Sequence, residues 1–298
     1  MGSARVSIGL PVYNGEDFLE ASIQSILAQS YKDLELVISD NASQDRTPSI
    51  CERFCRRDAR VRYYRADTNR GASWNYNRVF QLSSGPLFKW QAHDDVCLPS
   101  FLSRCVETFD RAPSTVVLVY PRAEVIDFDS KPDRRFQPES LETRDPVPHR
   151  RLAAVLRNLN MACPVFGVMR SSALRKTRLI DQFVASDYVL LAELAMLGEI
   201  WEVPETLFQR RVHPNISTYA NRNPRDLLRW YDPSKQSAKS LLSPMMALGG
   251  EYLRSVGRLP LDRRERLRCR VAALSVWYER ELRNLGGKYK ARLKHAFR

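Results

Sequence analysis

Much that would mark a common class of protein is missing from these 298 residues. No stretch approaches the ~18 uninterrupted apolar residues of a membrane-spanning helix. The longest candidates, Val116 to Tyr120 and Tyr188 to Leu197, are strand-sized or broken by Glu193. Neither G-x-G-x-x-G nor G-x-x-x-x-G-K-[ST] occurs, so the usual dinucleotide fingerprint and the P-loop are excluded. A nucleotide, if bound, must be held by another device. The six cysteines, Cys51, Cys55, Cys97, Cys105, Cys163 and Cys269, are too sparse for a disulfide framework and form no C-x-x-C pair. Reduced thiols in a core are expected. The opening MGSARVSIGLPVYN carries no long hydrophobic stretch ahead of a small-residue cleavage site, which leads to the expectation of cytosolic synthesis. The tripeptides Asn41-Ala42-Ser43 and Asn215-Ile216-Ser217 therefore carry no glycan argument.

Apolar residues make up 44% of the chain, aromatics 10% and charged residues 27%, enough for an ordinary core, and disorder, collagen and coiled coil are ruled out. The length suits one large domain with an appendage, or two domains. The net charge of +13 is uneven: residues 251 to 298 hold 14 Lys/Arg against 5 Asp/Glu.

Along the chain, Val6, Ile8 and Leu10 alternate as a strand that Pro11 ends, and from Asp17 onward Leu19, Ile23, Ile26 and Leu27 recur at helical spacing. Leu34 to Ser39 predicts a second strand, and the polar run Asp40 to Asp45 a loop. Thr47-Pro48 opens a helix, Val61 to Arg65 is a short strand, Trp74 to Leu82 is helical with Trp74 in the core, and Leu87 to Trp90 is a buried strand. Strands alternating with helices predict an α/β protein with a mostly parallel, doubly wound sheet. Ligands of such sheets gather at the carboxyl ends of the strands. That rule singles out the loops 11–16, 40–46, 67–71 and 91–95.

Further on, Val116 to Tyr120 reads as a strand, 127–148 as a long exposed excursion and Arg151 to Leu159 as a helix. Val165 to Met169 reads as a strand, Tyr188 to Leu197 as a helix, and Trp201 to Pro204 and Leu207 to Val212 as two strands. Past Ser217 only helical patterning remains, so a boundary is placed near residue 220, between an α/β domain (1–220) and a basic helical region (221–298).

The strongest chemical signal is His93-Asp94-Asp95, an acidic pair directly after a buried strand. Hard carboxylate oxygens suit Mg²⁺ or Mn²⁺, which use one or two protein carboxylates when phosphates complete the shell. On the bare residues, an Asp pair is as readily a solvated turn or a helix cap.

The segments Val6 to Asn14, Val37 to Thr47, Asn69-Arg70-Gly71 and His93-Asp94-Asp95, taken in order, resemble the successive motifs of family 2 glycosyltransferases with the GT-A fold, over about residues 5 to 215. The resemblance implies inverting transfer of a sugar from a nucleoside diphosphate to an acceptor hydroxyl. It implies that Pro11, Val12, Tyr13 and Asn14 line the nucleoside pocket, with Asp40 and Asn41 near the base or ribose and Arg70 also on the donor side. Asp94 would face the ribose, and Asp95, with His213, would hold the Mg²⁺ or Mn²⁺. The chain departs from the family pattern at Asn41, where a second Asp is frequent, and at Ala92, where an earlier Asp often begins the metal motif. By the same resemblance Asp187 is the general base; the residues alone allow an N-cap aspartate there. Arg210 and Arg211 are placed to neutralise the leaving diphosphate, and strand alternation lets only one of them point inward.

In the tail, Leu267, Val271, Leu274, Tyr278, Leu282 and Leu285 form a stripe crowded by arginines, expected to pack on the catalytic domain. The last piece, Lys288 to Arg298, is expected to touch an anionic membrane. The expected partners are thus a nucleoside-diphosphate sugar, a carbohydrate or lipid-linked acceptor of the cell envelope, and an anionic membrane surface reached through 261–298, at the inner face of the plasma membrane. A sugar-1-phosphate nucleotidyltransferase would carry a Gly-rich entry loop where Pro11 and Tyr13 stand. A nucleic-acid binder fits poorly with a positive excess concentrated in the tail, and no nucleic-acid partner is expected.

Overall fold

The computed structural model describes residues 4–214, 216, 224–234 and 244–296. Eight strands form one mixed sheet: β1 (Val6–Val12), β2 (Leu34–Asp40), β3 (Val61–Arg65), β4 (Leu87–Trp90), β5 (Val96–Cys97), β6 (Val116–Ile126), β7 (Val168–Arg170) and β8 (Glu199–Arg211). Their spatial order is β3-β2-β1-β4-β7-β6-β8-β5. The pairs β1–β2, β1–β4, β2–β3 and β6–β8 are parallel, whereas β7 and β5 run against their neighbours. The carboxyl ends of β1, β2, β4, β6 and β8 therefore share one rim.

The first half follows the sequence reading, because β1, β2 and β4 are buried on both faces and its helices are short and periodic. The helices α1 (Leu19–Leu27), α2 (Thr47–Arg57) and α3 (Ala72–Gln81) bury Leu19, Ile23, Ile26, Cys51, Phe54, Val79 and Phe80 on the sheet. Pro11 does not end β1. The pairing of β1 with β4 stops at Gly9; Gly9 offers its carbonyl to Gln91 on the β4 side and Val12 its own to Asn41 on the β2 side, so Pro11 turns its missing N–H to the β4 side, where no ladder bond is needed.

Three later readings are corrected. The two strands expected over 201–212 are one, β8, and its register against β6 jumps from Val203 to Thr206, so a bulge absorbs Pro204 and Glu205. The strand expected over 165–169 begins instead at Val168, after a 3-10 turn at Cys163–Phe166 that Pro164 favours. The excursion over 127–148 folds back in part: Leu141 and Thr143 are buried, and Thr143 bridges to Ile200. All six cysteines are free thiols; Cys55, unlike the other five, is exposed.

The remaining helices are α4 (Phe101–Arg111), α5 (Pro148–Asn158), α6 (Ser171–Leu174), α7 (Ser186–Leu197), α8 (Pro224–Tyr231), α9 (Pro244–Arg258) and α10 (Arg263–Ala296). Leu152, Leu156, Val189 and Met196 of α5 and α7 share one apolar cluster with Leu248, Tyr252 and Val256 of α9 and Cys269, Ala273 and Val276 of α10. The tail thus packs on α5 and α7, but not through its large apolar stripe: Leu267, Val271, Leu274, Tyr278 and Leu282 are exposed. Small side chains at 269 and 273 let α10 approach α5 closely, so the bulkier face is the one left outside. Residue 220, where a boundary was expected, and the side chains of Leu285 and of Lys288 to Arg298 lie outside the described residues.

Glu193, which interrupts the apolar run of α7, is buried because Arg178 meets it: the Arg178 backbone N–H donates at 2.8 Å and its Nε at 3.3 Å. The same guanidinium reaches Glu251 and Ser255 of α9 at 2.8 and 2.9 Å. Replacing Arg178 with Met leaves Glu193 buried without its cation. The expected cost is about 3–5 kcal/mol, read as a Tm lowered by the order of 10 °C in a calorimetric scan. An unchanged Tm would show that the clamp does not join α9 to the body.

Candidate active site

The loops after β1, β2 and β4 and the end of β8 enclose a cavity of about 420 Å³ at the carboxyl rim. Pro11, Val12, Tyr13 and Asn14 line it, as do Asn41, Asp94, Asp95 and His213. Asn14 adopts a positive φ and ties two loops together, its backbone N–H donating to Ser43 Oγ and its Oδ1 accepting from the Gln44 N–H, both at 2.9 Å. Tyr13 is left standing at the mouth with an exposed ring.

Two donor-side residues are placed differently from the expectation. Asp40 is fully buried and does not line the cavity; its carboxylate accepts from the Ser43 N–H at 2.8 Å and Tyr63 Oη at 2.9 Å and faces Arg65. It shapes the loop from beneath. Arg70 also stays outside the cavity lining, because its guanidinium stacks on Trp74 at 4.5 Å, with Arg78 also over that ring at 4.7 Å. Trp74 is consequently half-buried among cations and is not a core residue.

Asn41 shows why an amide stands where the family often has a carboxylate. Its Nδ2 donates to Asn69 Oδ1 at 2.9 Å and to the Gly71 carbonyl at 3.2 Å, while its Oδ1 accepts from the Arg70 N–H at 3.0 Å. A carboxylate could not donate to two acceptors. Gly71 itself is required: its φ is +86°, and a Cβ there would lie 2.4 Å from the Tyr231 carbonyl oxygen of α8.

The acidic pair rests on a buried support that sequence reasoning missed. Lys89, inside β4, is fully buried, and its Nζ donates to the Trp90 carbonyl at 2.8 Å and to Gln91 Oε1 at 2.9 Å, between the rings of Phe101 and Phe208. Burial pushes its ammonium below the ordinary lysine range. Gln91 Nε2 in turn donates to the Asp95 carbonyl at 2.8 Å and Ser22 Oγ at 3.1 Å. A lysine inside an apolar strand, followed two residues later by Gln, was the available signal.

His213 Nε2 lies 3.0 Å from Asp94 Oδ2, and Asp95 Oδ1 accepts the Arg211 N–H at 2.8 Å. His213 thus reaches the pair through a hydrogen bond, in which its Nε2 is occupied. Burial disfavours the ionised Asp94, but His93 and the His213 hydrogen bond outweigh it and hold this carboxyl below the usual range. Burial, with repulsion from Asp94, pushes Asp95 upward. One member of the pair is therefore anionic while the other resists losing its proton, an arrangement that a cation would relieve.

Both arginines at the end of β8 line the cavity, contrary to strict alternation, because Arg211 is the last strand residue and its side chain curls back. Arg211 donates to the carbonyls of Asp94, Asp127 and Phe128 and lies over Phe18, so it anchors the rim. Arg210 donates to the Met161 carbonyl and lines a second, adjoining cavity of about 620 Å³.

Asp187 lines that second cavity in the first turn of α7, together with Ser186, Tyr188 and residues of the helical tail such as Trp230, Leu248 and Arg280. It is not a cap: Ala185, at φ 66°, holds the N-cap position, and Asp187 Oδ1 accepts the Tyr188 N–H at 3.0 Å. Burial raises its pKa, and the field of Arg210 offsets only part of that rise. The same Arg210 also lowers Asp95, so one guanidinium faces carboxylates in both cavities.

An open mixed sheet with an acidic pair at its carboxyl rim and a carboxylate-bearing cavity beside it is what the resemblance to GT-A type glycosyltransferases leads one to expect. The chain belongs to glycosyl transferase family 2, whose family model matches residues 7–178. An uncharacterised glycosyltransferase of Rickettsia typhi is 28% identical over 224 residues, 72% of this chain and 66% of the relative's length. The GalNAc(5)-diNAcBac-PP-undecaprenol beta-1,3-glucosyltransferase of Campylobacter jejuni is 24% identical over 191 residues, 64% of this chain and 59% of that one. The chain thus spans slightly under two thirds of these relatives. Among solved structures, S. aureus TarS 1-349 in complex with UDP-GlcNAc matches with a TM-score of 0.57 at 13% identity, over 93% of this chain and 92% of that one. The mannosyltransferase PcManGT of Pyrobaculum calidifontis, in complex with GDP-Man and Mn²⁺, matches at 0.55 and 18% identity, over 97% and 81%. At those identities the structures share the fold alone.

Proposed function

We propose that the protein is an inverting, metal-dependent glycosyltransferase, with the nucleoside-diphosphate sugar in the cavity of Tyr13, Asn41 and the acidic pair and the acceptor in the cavity of Asp187. The observation that supports this reading is the pair of adjoining cavities that share Arg210, one lined by the acidic pair and the other by the half-buried Asp187 carboxylate. In a single displacement, the acceptor hydroxyl oxygen attacks the anomeric carbon as Asp187 takes its proton, and the diphosphate leaves from the opposite face with inversion.

The residues present fit a Mg²⁺ or Mn²⁺ ion. Asp94 and Asp95 supply hard oxygens, and among the described residues Asp94 Oδ1 and Asp95 Oδ2 have no protein hydrogen bond. No three His, Cys, Asp or Glu residues among those described could hold a cation by themselves, which suits an ion whose shell is finished by diphosphate and water. Asp95 and Asp94 would hold it, and His213 would orient Asp94. When bound, such an ion neutralises charge that develops on the departing diphosphate. Arg210 adds a second positive group that needs no reorganisation. The Campylobacter relative, named for a lipid-linked substrate, supports an envelope acceptor, and the UDP-GlcNAc and GDP-Man complexes support a nucleotide-sugar donor.

A thermal-shift panel of UDP, TDP, GDP and CDP, each with and without Mn²⁺, tests donor and ion together. One nucleotide is expected to raise the Tm only with the metal, corresponding to about 2.7 kcal/mol at a hundredfold excess over Kd. If no nucleotide stabilises the protein in either condition, the donor assignment fails.

A further inference from the structure

Among the described residues, seven large hydrophobic side chains stand exposed, and five of them, Leu267, Val271, Leu274, Tyr278 and Leu282, lie on α10. Steps of four, three, four and four keep them on one narrow stripe of a 3.6-residue helix. The helix is attached through another face, that of Cys269, Ala273 and Val276. Arg263, Arg264, Arg268 and Arg270 are exposed along the edges of the stripe. Of the acids whose side chains are described there, Glu265 meets His149 at 2.7 Å and draws Arg268 to 3.8 Å, and Glu279 meets Arg157 at 3.4 Å. The outward side of α10 is therefore apolar along its middle and cationic at its margins.

That charge pattern selects the occupant. A second copy joined through the same stripe would set arginine rows against arginine rows, the opposite of the complementary flanks that stabilise paired helices. An anionic bilayer satisfies both parts, because the stripe enters the headgroup boundary while the guanidinium groups meet lipid phosphates. We propose that α10 is a membrane-surface helix that lies on an anionic bilayer along the stripe from Leu267 to Leu282. No described helix is long and apolar enough to cross a membrane, so this contact is a surface one. Arg280, on the far side of the same helix, lines the cavity of Asp187. A helix with its side chains is about 10–12 Å across, so docking would hold that cavity close to the headgroups, where a lipid-anchored acceptor presents its sugar. This consequence rests on the assignment of the two cavities; the docking itself does not.

Flotation of the full chain with vesicles of phosphatidylcholine alone, or with about one third phosphatidylglycerol, tests the proposal. Binding is expected with the anionic vesicles, weakened by added salt, and little is expected without phosphatidylglycerol. The pair Val271→Asp/Tyr278→Asp should lower partition about tenfold or more. So should the triple Arg263→Gln/Arg264→Gln/Arg270→Gln, which leaves the stripe untouched and guards against a folding defect in the first variant. Neither set touches the cleft, so the nucleotide-dependent thermal shift should be unchanged in both; its absence from the wild type as well would count against the donor assignment and not against docking. The proposal is overturned if the wild type ignores anionic vesicles or if both variants float like it. It is equally overturned if sedimentation shows a wild-type dimer that the aspartate variant converts to monomer, since a second copy would then cover the stripe.

Discussion

Asp187→Asn will lower kcat by about 10²–10⁴-fold while the protein melts where the wild type does. The size follows from the role, since a sugar hydroxyl is a weak nucleophile and loses most of its reactivity when no base takes its proton. The unchanged Tm follows from the geometry, because the carboxylate's one protein hydrogen bond among the described residues, from the Tyr188 N–H, can be accepted equally by an amide oxygen. The pH profile separates a base from a mere structural residue. Burial raises the Asp187 pKa, so its active, ionised form is lost as the pH falls while ordinary carboxylates are still charged. Wild-type kcat should therefore drop on an acid limb lying above the usual carboxylate range, and the residual activity of Asp187→Asn should lack that limb. Near wild-type turnover in the variant would remove Asp187 from the chemistry.

Asp95→Asn is expected to be almost as damaging to transfer, with kcat/KM down about 10³-fold, but through donor and cation binding. The nucleotide's metal-dependent thermal shift should disappear in the same variant. Stability should not suffer: the amide can still accept the Arg211 N–H, and burial together with Asp94 already disfavours the ionised Asp95 in the folded protein. A Tm at or above that of the metal-free wild type, measured by calorimetry, is the expected result. A retained Mn²⁺-dependent shift with full activity would show that the acidic pair does not hold the cation.

The first half of the sheet was legible because each of its elements is defined by its own residues. The alternation in Val6 to Leu10, the apolar Leu34 to Ser39 and the Thr47-Pro48 helix start all report burial and backbone preference over a few neighbours. Beyond residue 120 the helices over 151–159 and 188–197 were still legible, but elsewhere the local signal misleads. Pro204 looks like the end of a strand because nothing near it reveals that β6 supplies a partner able to tolerate a bulge. The apolar stripe of α10 looks like a packing face because its periodicity is correct, yet which face packs depends on how closely α5 can approach.

The candidate site divides in the same way. Asp94 and Asp95 stood out because an acidic pair directly follows a buried strand, whereas Asp187 was singled out only through the family resemblance, its own residues allowing a helix cap. Lys89 was read as part of a strand, and its support of the acidic loop through Gln91 becomes visible only when Phe101 and Phe208 close around it. Asp40 and Arg70 were assigned to the donor through the family resemblance, although their side chains are engaged elsewhere.

From the sequence by itself came the α/β alternation, the polar loops at the carboxyl rim and the acidic pair after β4, since strand burial, loop polarity and side-chain chemistry are properties of short segments. Only the tertiary structure decided which oxygens remain free, which arginine spans both cavities and which face of α10 meets solvent. Those outcomes depend on partners far apart along the chain, such as His213 and Asp94, 119 positions from one another, and no short segment contains both.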